Sequence, residues 1–339
     1  MKSSVPFGLI LLALLLFALP TPASASVPLM AEENENFSQA MHISDPEKSW
    51  TIYGALYGNV THYYSLDVEA GDLIYLSLLK STDKNEQAFS PELLLIGPKL
   101  TNEQESTRLS ALPEEASATY EPFGPSSLIV LSEINITAPE TARYYAAVTS
   151  TIKPSGASSI NSTIGHYGLN VGYREELSFS DRIIAPIRLI SLYLWEGQSL
   201  GLILTPYLVA EVVAMLFFWR SSRRTSFSLA GSLAGFLFLA TSAQVFNQMV
   251  FSLTRAPFGP YVYITVLIAA FHALLGVSCI RLSRGEAGIL QRSLLAVLGT
   301  LALLAGSGLI MGPLMAMAAS FLPSMSGSIF SRSAPDSKE

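Results

Sequence analysis

Apolar positions divide this chain near residue 180. Before that point they form short runs that alternate with polar residues and are punctuated by Gly, Pro and Asn, the pattern of an all-β domain. Strands are predicted at Thr51–Tyr57, His62–Val68, Leu73–Leu79, Leu93–Ile96, Leu128–Ser132, Tyr144–Thr149 and Tyr167–Gly172. In the second of these Tyr64, Leu66 and Val68 alternate with Tyr63, Ser65 and Asp67, so one side faces a core and the other faces water. Ala70-Gly71-Asp72 supplies the following turn, because glycine accepts positive φ without steric penalty. Strands of this number with non-local pairing predict a β-sandwich over residues 26–180.

After residue 180 the apolar runs become long. The stretch from Arg182 to Trp219 exceeds the roughly 20 residues that cross a bilayer core, and Trp195-Glu196-Gly197-Gln198 interrupts it. A hairpin turning there would leave about a dozen residues on its first arm, short of the roughly 17 that a spanning helix needs. Residues 181–198 are therefore read as an interfacial or re-entrant helix, with Trp195, Glu196 and Gln198 forming a belt at the membrane surface. A bundle of about four spans is predicted over 199–322: Ser199–Trp219, Phe227–Val250, Tyr261–Ile280 and Leu294–Leu322, the last kinked at Gly312-Pro313. Gln244, Asn247 and Gln248, near the outer end of the second span, are placed to meet Glu196 and Gln198 in a polar floor under the first domain.

Charge and targeting set the orientation. Lys2, the apolar run Leu9–Leu19 and Ala23-Ser24-Ala25 form a secretory signal over residues 1–25, with cleavage expected before Ser26 and an uncleaved anchor as the alternative. Residues 27–180 hold 20 acidic and 8 basic residues, whereas residues 181–339 hold 6 and 11. The acidic surface excludes a nucleic-acid partner. Arg220, Arg223 and Arg224 follow the first span, and Arg281, Arg284 and Arg292 follow the third. Both loops are thereby assigned to the cytoplasm, with the amino-terminal domain outside and residues 323–339 as a flexible exterior tail. The single cysteine, Cys279, lies in an apolar run, so the outer domain has no disulfide to draw on.

Two separated motifs carry a resemblance. Tyr53-Gly54-Ala55-Leu56 with Thr61 through Asp72, and then Ala142 through Val148 with Tyr167-Gly168-Leu169-Asn170-Val171, resemble the pre-peptidase C-terminal domain family of bacteria and archaea. The resemblance spans most of residues 34–173 and implies a secreted, jelly-roll-like module used for binding or packing beside another domain. Two positions depart from that pattern: His62 adjoins the aromatic pair where an acid is usual, and Ala142 stands where glycine is usual. The overall layout is also similar to uncharacterised archaeal membrane proteins, which implies no function.

Candidate chemistry is sparse. Asn36, Asn59, Asn135 and Asn161 begin Asn-x-Ser/Thr acceptors, all before Ser180, and point to surface glycosylation. Asp67, Glu69 and Asp72 cluster round one turn as a calcium candidate, against the reading of a solvated loop. Gly231 and Gly235 stand four apart, as do Gly308 and Gly312, which lets helices approach closely, within the bundle or against a partner. Glu211 and His272 each fall about 12 residues below an outer span end, roughly 18 Å deep, and are placed to pair as a proton relay, a ligand site or a structural hydrogen bond. No zinc, phosphate-loop, dinucleotide or nucleophile-elbow motif is present, so neither a cofactor nor an enzymatic activity is expected. The expectation is a multi-pass cell-membrane protein whose outer domain binds a protein or glycan partner, while its helices sit in lipid as an anchor or dock into a larger membrane complex. The alternative is a small transporter or channel-like subunit using Glu211 and His272.

Overall fold

A computed structural model describes residues 26–31, 34–100, 117–150, 163–176, 178–221, 225–285 and 287–323. The predicted signal segment 1–25, Asn161, Arg223, Arg224 and nearly all of the predicted tail lie outside the described residues. The chain forms two compact units, one from residues up to Ile203 together with Val245–Ile268, the other from Leu204–Gln244 together with residues from Ala269 onward.

Among its described residues the first unit holds ten strands: β1 (Val27–Met30), β2 (Met41–Ile43), β3 (Trp50–Tyr57), β4 (Thr61–Val68), β5 (Leu73–Ser81), β6 (Pro91–Ile96), β7 (Ala118–Glu121), β8 (Ser126–Thr137), β9 (Ala142–Ser150) and β10 (Ile164–Val171). A six-stranded sheet runs β1-β3-β10-β5-β8-β7 and a four-stranded sheet runs β2-β4-β9-β6. All seven predicted strands are present. The three additional ones are short edge strands, of which β1 and β2 pair in parallel with β3 and β4. Sequence alternation is too brief in such strands to be read, and Pro28 within β1 is tolerated because an edge strand leaves one side of its ladder unpaired. One apolar cluster joins the two sheets, drawing Ile52, Leu76, Leu78 and Leu169 from the first and Tyr64, Leu66, Leu93 and Val148 from the second. The alternation predicted in β4 holds in part: Tyr64, Leu66 and Val68 are buried and Asp67 is exposed, but Ser65, expected to face water, is buried as well.

Helix α1 (Phe179–Trp195) follows the strands. Ser178 caps it by accepting the Asp181 backbone N–H, and Asp181 reaches back to the Ser178 N–H, a reciprocal capping box. Lys48 donates to the Asp181 carboxylate at 2.9 Å, which ties the helix start to the strand domain. Three further helices are long and apolar enough to cross a membrane: α2 (Leu200–Arg220), α3 (Ser226–Leu253) and α4 (Val262–Arg284). Leu208, Val209, Val212, Val213, Met215 and Leu216 on α2 are exposed, an apolar surface that suits lipid and not water.

A single fourth span does not form. In its place stand α5 (Ile289–Leu304) and α6 (Met311–Ala319), separated by a turn in which Gly306, Gly308 and Leu309 all take positive φ, at 66°, 71° and 55°. The break lies ahead of the Gly312-Pro313 kink read from the sequence. Pro313 falls in the first turn of α6, where a missing N–H removes no helical bond.

Candidate functional site

A set of buried polar contacts in the first unit surrounds Glu196, between α1 and α2. The glycine after it, Gly197, takes φ of 85° and lets the chain turn from one helix toward the next. The Glu196 carboxylate, wholly buried, accepts the Ser127 backbone N–H at 3.0 Å and the Gln198 amide at 3.2 Å. Gln198 in turn exchanges two hydrogen bonds with Gln248, at 2.7 and 2.8 Å. Arg255 donates to the Glu196 carbonyl at 3.3 Å while its guanidinium lies over the Phe251 ring. One carboxyl thus connects β8 of the strand domain to the helical segment 245–268. Of the three amides expected in a polar floor, Gln248 meets Gln198, whereas Gln244 belongs to the second unit with its amide unpartnered, and no hydrogen bond joins Asn247 to Glu196 or Gln198 among the described residues.

Neighbouring contacts complete the junction. Trp195 donates its indole N–H to the Gly54 carbonyl at 2.9 Å and packs edge-on against Tyr53. Its ring is only 4% exposed, so Trp195 is covered by protein and does not serve as a headgroup-belt residue. Glu196 and Gln198 are likewise buried rather than set at a surface, because the strand domain closes over them. On the other side Tyr120 and Thr265 share a hydroxyl contact at 2.7 Å, and Thr265 donates to the Pro122 carbonyl at 2.8 Å. The sequence carried no signal for Ser127, Tyr53 or Glu121, whose roles depend on pairings across the sheet.

Burial sets the electrostatics here. It lifts Glu196 to about 7, against the opposing pull of the Ser127 N–H, the Gln198 amide and the Arg255 charge. Burial also lifts Glu121 to about 7; the Phe123 N–H opposes this and the Glu175 charge adds to it. Tyr53 is pushed far above the ordinary phenol range by burial and then by both carboxylates. Both acids therefore titrate near neutrality, well above an ordinary carboxyl.

The other predicted residues fall elsewhere. Asp67 is held by Arg143 through two contacts of 2.7 and 2.8 Å, and Asp72 accepts the Glu69 backbone N–H at 3.3 Å. These carboxylates do not converge on a cation site, and no metal-ligating cluster occurs among the described residues. The reason is Arg143, opposite Asp67 in the β4–β9 register. His62 is buried, with Nδ1 at 2.7 Å from the Tyr167 hydroxyl, which in turn contacts the Tyr64 hydroxyl. Asn36, Asn59 and Asn135 are exposed, as glycan acceptors must be.

In the second unit, Gly231 and Gly235 bring α3 against α4. A Cβ on Gly235 would stand 2.8 Å from the Gly276 carbonyl oxygen, and Cys279 donates to the Gly231 carbonyl. Gly308 and Gly312 pack on Phe238 instead. These glycines close the unit onto itself. No hydrogen bond joins Glu211 to His272 among the described residues. Glu211 shares an open groove with Val212, Met215, Leu216 and Trp219 on its own helix, whereas His272 is buried.

No family model and no curated protein matches this chain. Among solved structures it is similar to a periplasmic inhibitor of g-type lysozyme, PliG of Aeromonas hydrophila, at 12% identity over 43% of this chain and 98% of that one, with a TM-score of 0.24. A likeness at that level bears on neither fold nor function.

Proposed function

We propose that this is a non-enzymatic cell-surface membrane protein whose strand domain, a sandwich of jelly-roll-like type, is exported and binds a protein or glycan partner, while its helices anchor it or dock into a membrane complex. The observation that carries this reading is the Glu196–Gln198–Gln248 junction. It fastens the strand domain to helical segment 245–268 by buried hydrogen bonds, where a flexible tether would otherwise serve. A domain held in this way presents a fixed face to a partner, and pre-organisation of that kind lowers the ordering cost of binding.

The outer face of the four-stranded sheet fits the role. Phe37, 48% exposed, lies 4.2 Å from Tyr145 and 5.5 Å from Tyr63 by ring centroids, and exposed aromatic groups of this kind are enriched in interfaces. Outward-facing apolar residues on α1, Ile184, Ile187 and Leu194, suit a helix lying at a lipid surface. Purification of the full chain from native membranes in mild detergent tests the reading. A discrete complex, with the strand domain protected from protease by its companion, is expected; a solitary monomer with a freely cleaved strand domain removes the docking role.

A further inference from the structure

The last two helices leave and return at one end of the second unit. Arg292, in the first turn of α5, donates Nη1 to the carbonyl of Ser320, just past α6, at 2.7 Å. Between these points a Cβ on Gly299 would lie 3.0 Å from the Pro313 carbonyl oxygen, so the two helices are in close contact along their length. The same end gathers Arg284 over the Phe217 ring and Arg292 over the Phe227 ring, at 4.9 and 5.4 Å, and is therefore the arginine end. At the opposite extreme of the pair, the Gly308 N–H donates to the Thr241 hydroxyl at 2.7 Å, and the Tyr207 hydroxyl lies 3.3 Å from that oxygen. Thr241 stands on α3 about 22 Å from Ser226 at 1.5 Å per residue, less than the roughly 30 Å of a hydrocarbon core. The hairpin therefore turns part-way along α3, which continues to Leu253.

Buried polar groups without a partner occur in that turn and on α3 and α4. Ser307 is fully buried with its hydroxyl unpartnered. Gln244 lies one turn beyond Thr241 on the same buried face of α3, is 6% exposed, and has both amide atoms unpartnered. His272, 5% exposed with Nδ1 unpartnered, is on α4 three residues past Ala269, whose carbonyl accepts the Ser242 hydroxyl from α3. Hydrocarbon penalises each such group, and non-helical backbone at that depth persists where it is buried in protein or lines water. The turn here has three residues of positive φ.

We propose that α5 and α6 form a re-entrant hairpin entered from the arginine end, and that its tip, with Gln244, His272 and Ser307, builds a hydrated site in the second unit. Its groups are an amide, an imidazole and hydroxyls, so the ligand is water or an uncharged hydrogen-bonding solute of similar size. A hairpin of this kind brings Leu322 back to the arginine end, the side opposite the exterior expected from the sequence for the following residues.

The test uses the full chain in sealed vesicles of known sidedness, with Cys279→Ser as background and a charged, membrane-impermeant thiosulfonate as probe. Ser307→Cys is expected to react from the arginine side at least about tenfold faster than Val297→Cys, a lipid-facing control, because only a hydrated thiol ionises; Leu290→Cys at the arginine end marks full access. A well-folded Ser307→Cys protein that is inert from both sides overturns the hydrated site, and reaction from the opposite side alone overturns the entry direction. Gln244→Leu gives a second measure. An unchanged or lowered melting temperature fits a hydrated amide, while a raised one shows that the amide was dry and overturns the proposal.

Discussion

Gln198 and Gln248, 50 residues apart in the chain, exchange two amide hydrogen bonds, at 2.7 and 2.8 Å. Both side chains are buried. Leucine at either position leaves the other amide unmet, at a cost of about 1–3 kcal/mol, whereas leucine at both removes these two demands together and leaves only the longer Gln198–Glu196 bond lost. Thermal unfolding of the single and double variants is expected to show strong coupling, with the double variant more stable than the sum of the singles predicts. Additive losses would mean that the pair does not act as a unit.

Acidity offers an independent probe of the same junction. The folded protein holds Glu196 near 7 through burial, while the unfolded chain leaves it near the ordinary 4.5, so the folded state binds the proton more tightly. Stability attached to this group is therefore highest below the unfolded value, falls as pH rises from about 4.5 to about 7, and is level above that, a span of about 3 kcal/mol. Glu121 contributes with the same sign over the same window. Asp181 acts oppositely. Burial alone would raise it, but the Ser178 and Lys48 hydrogen bonds bring it down to about 2, so its stabilisation is present above about 4 and is lost on acidification toward 2. Melting curves from pH 5 to pH 8 are expected to decline for the wild type and to decline less for Glu196→Gln.

Gly54 is required by its neighbour. A Cβ there would stand 2.6 Å from the Tyr167 hydroxyl, the centre of the buried His62–Tyr167–Tyr64 chain. Gly54→Ala is expected to destabilise the strand domain by about 1–3 kcal/mol through overpacking, measured by chemical denaturation of the full chain in detergent.

The candidate calcium turn is expected to be inert. Asp67 is engaged by Arg143, so neither millimolar calcium nor a chelator should shift the melting temperature. A shift reversed by chelator would restore the cation site.

Partner binding has its own variant. Phe37→Ala removes one ring from the Phe37–Tyr63–Tyr145 group without opening the core, since Phe37 is 48% exposed. Loss of the co-purifying component with an unchanged melting temperature is expected. Retention of that component would move the binding face elsewhere.

The strand domain was legible wherever burial imposed alternation, as in Tyr64, Leu66 and Val68, and illegible in β1, β2 and β7, which depend on pairing with distant strands. The membrane half was legible by length for α2, α3 and α4. It failed after Leu294 because an apolar run reads alike whether straight or folded back; positive φ at Gly306, Gly308 and Leu309 makes the difference. Gln248 was found from its depth in the span, but Ser127 and Tyr53 were not, since nothing local marks a serine N–H or a core tyrosine as the neighbour of a carboxylate. Trp195 was misread because a tryptophan at the end of an apolar run suits a headgroup layer and a protein core equally.

Surface labelling on intact cells tests the central claim most directly. With Cys279 replaced by serine, one cysteine is placed at Tyr57, 70% exposed on the strand domain, and another at Leu290, 64% exposed at the arginine end. An impermeant thiol reagent is expected to label Tyr57→Cys on whole cells and Leu290→Cys only after lysis. Labelling of Leu290→Cys on whole cells with Tyr57→Cys protected would contradict an exported, partner-binding domain.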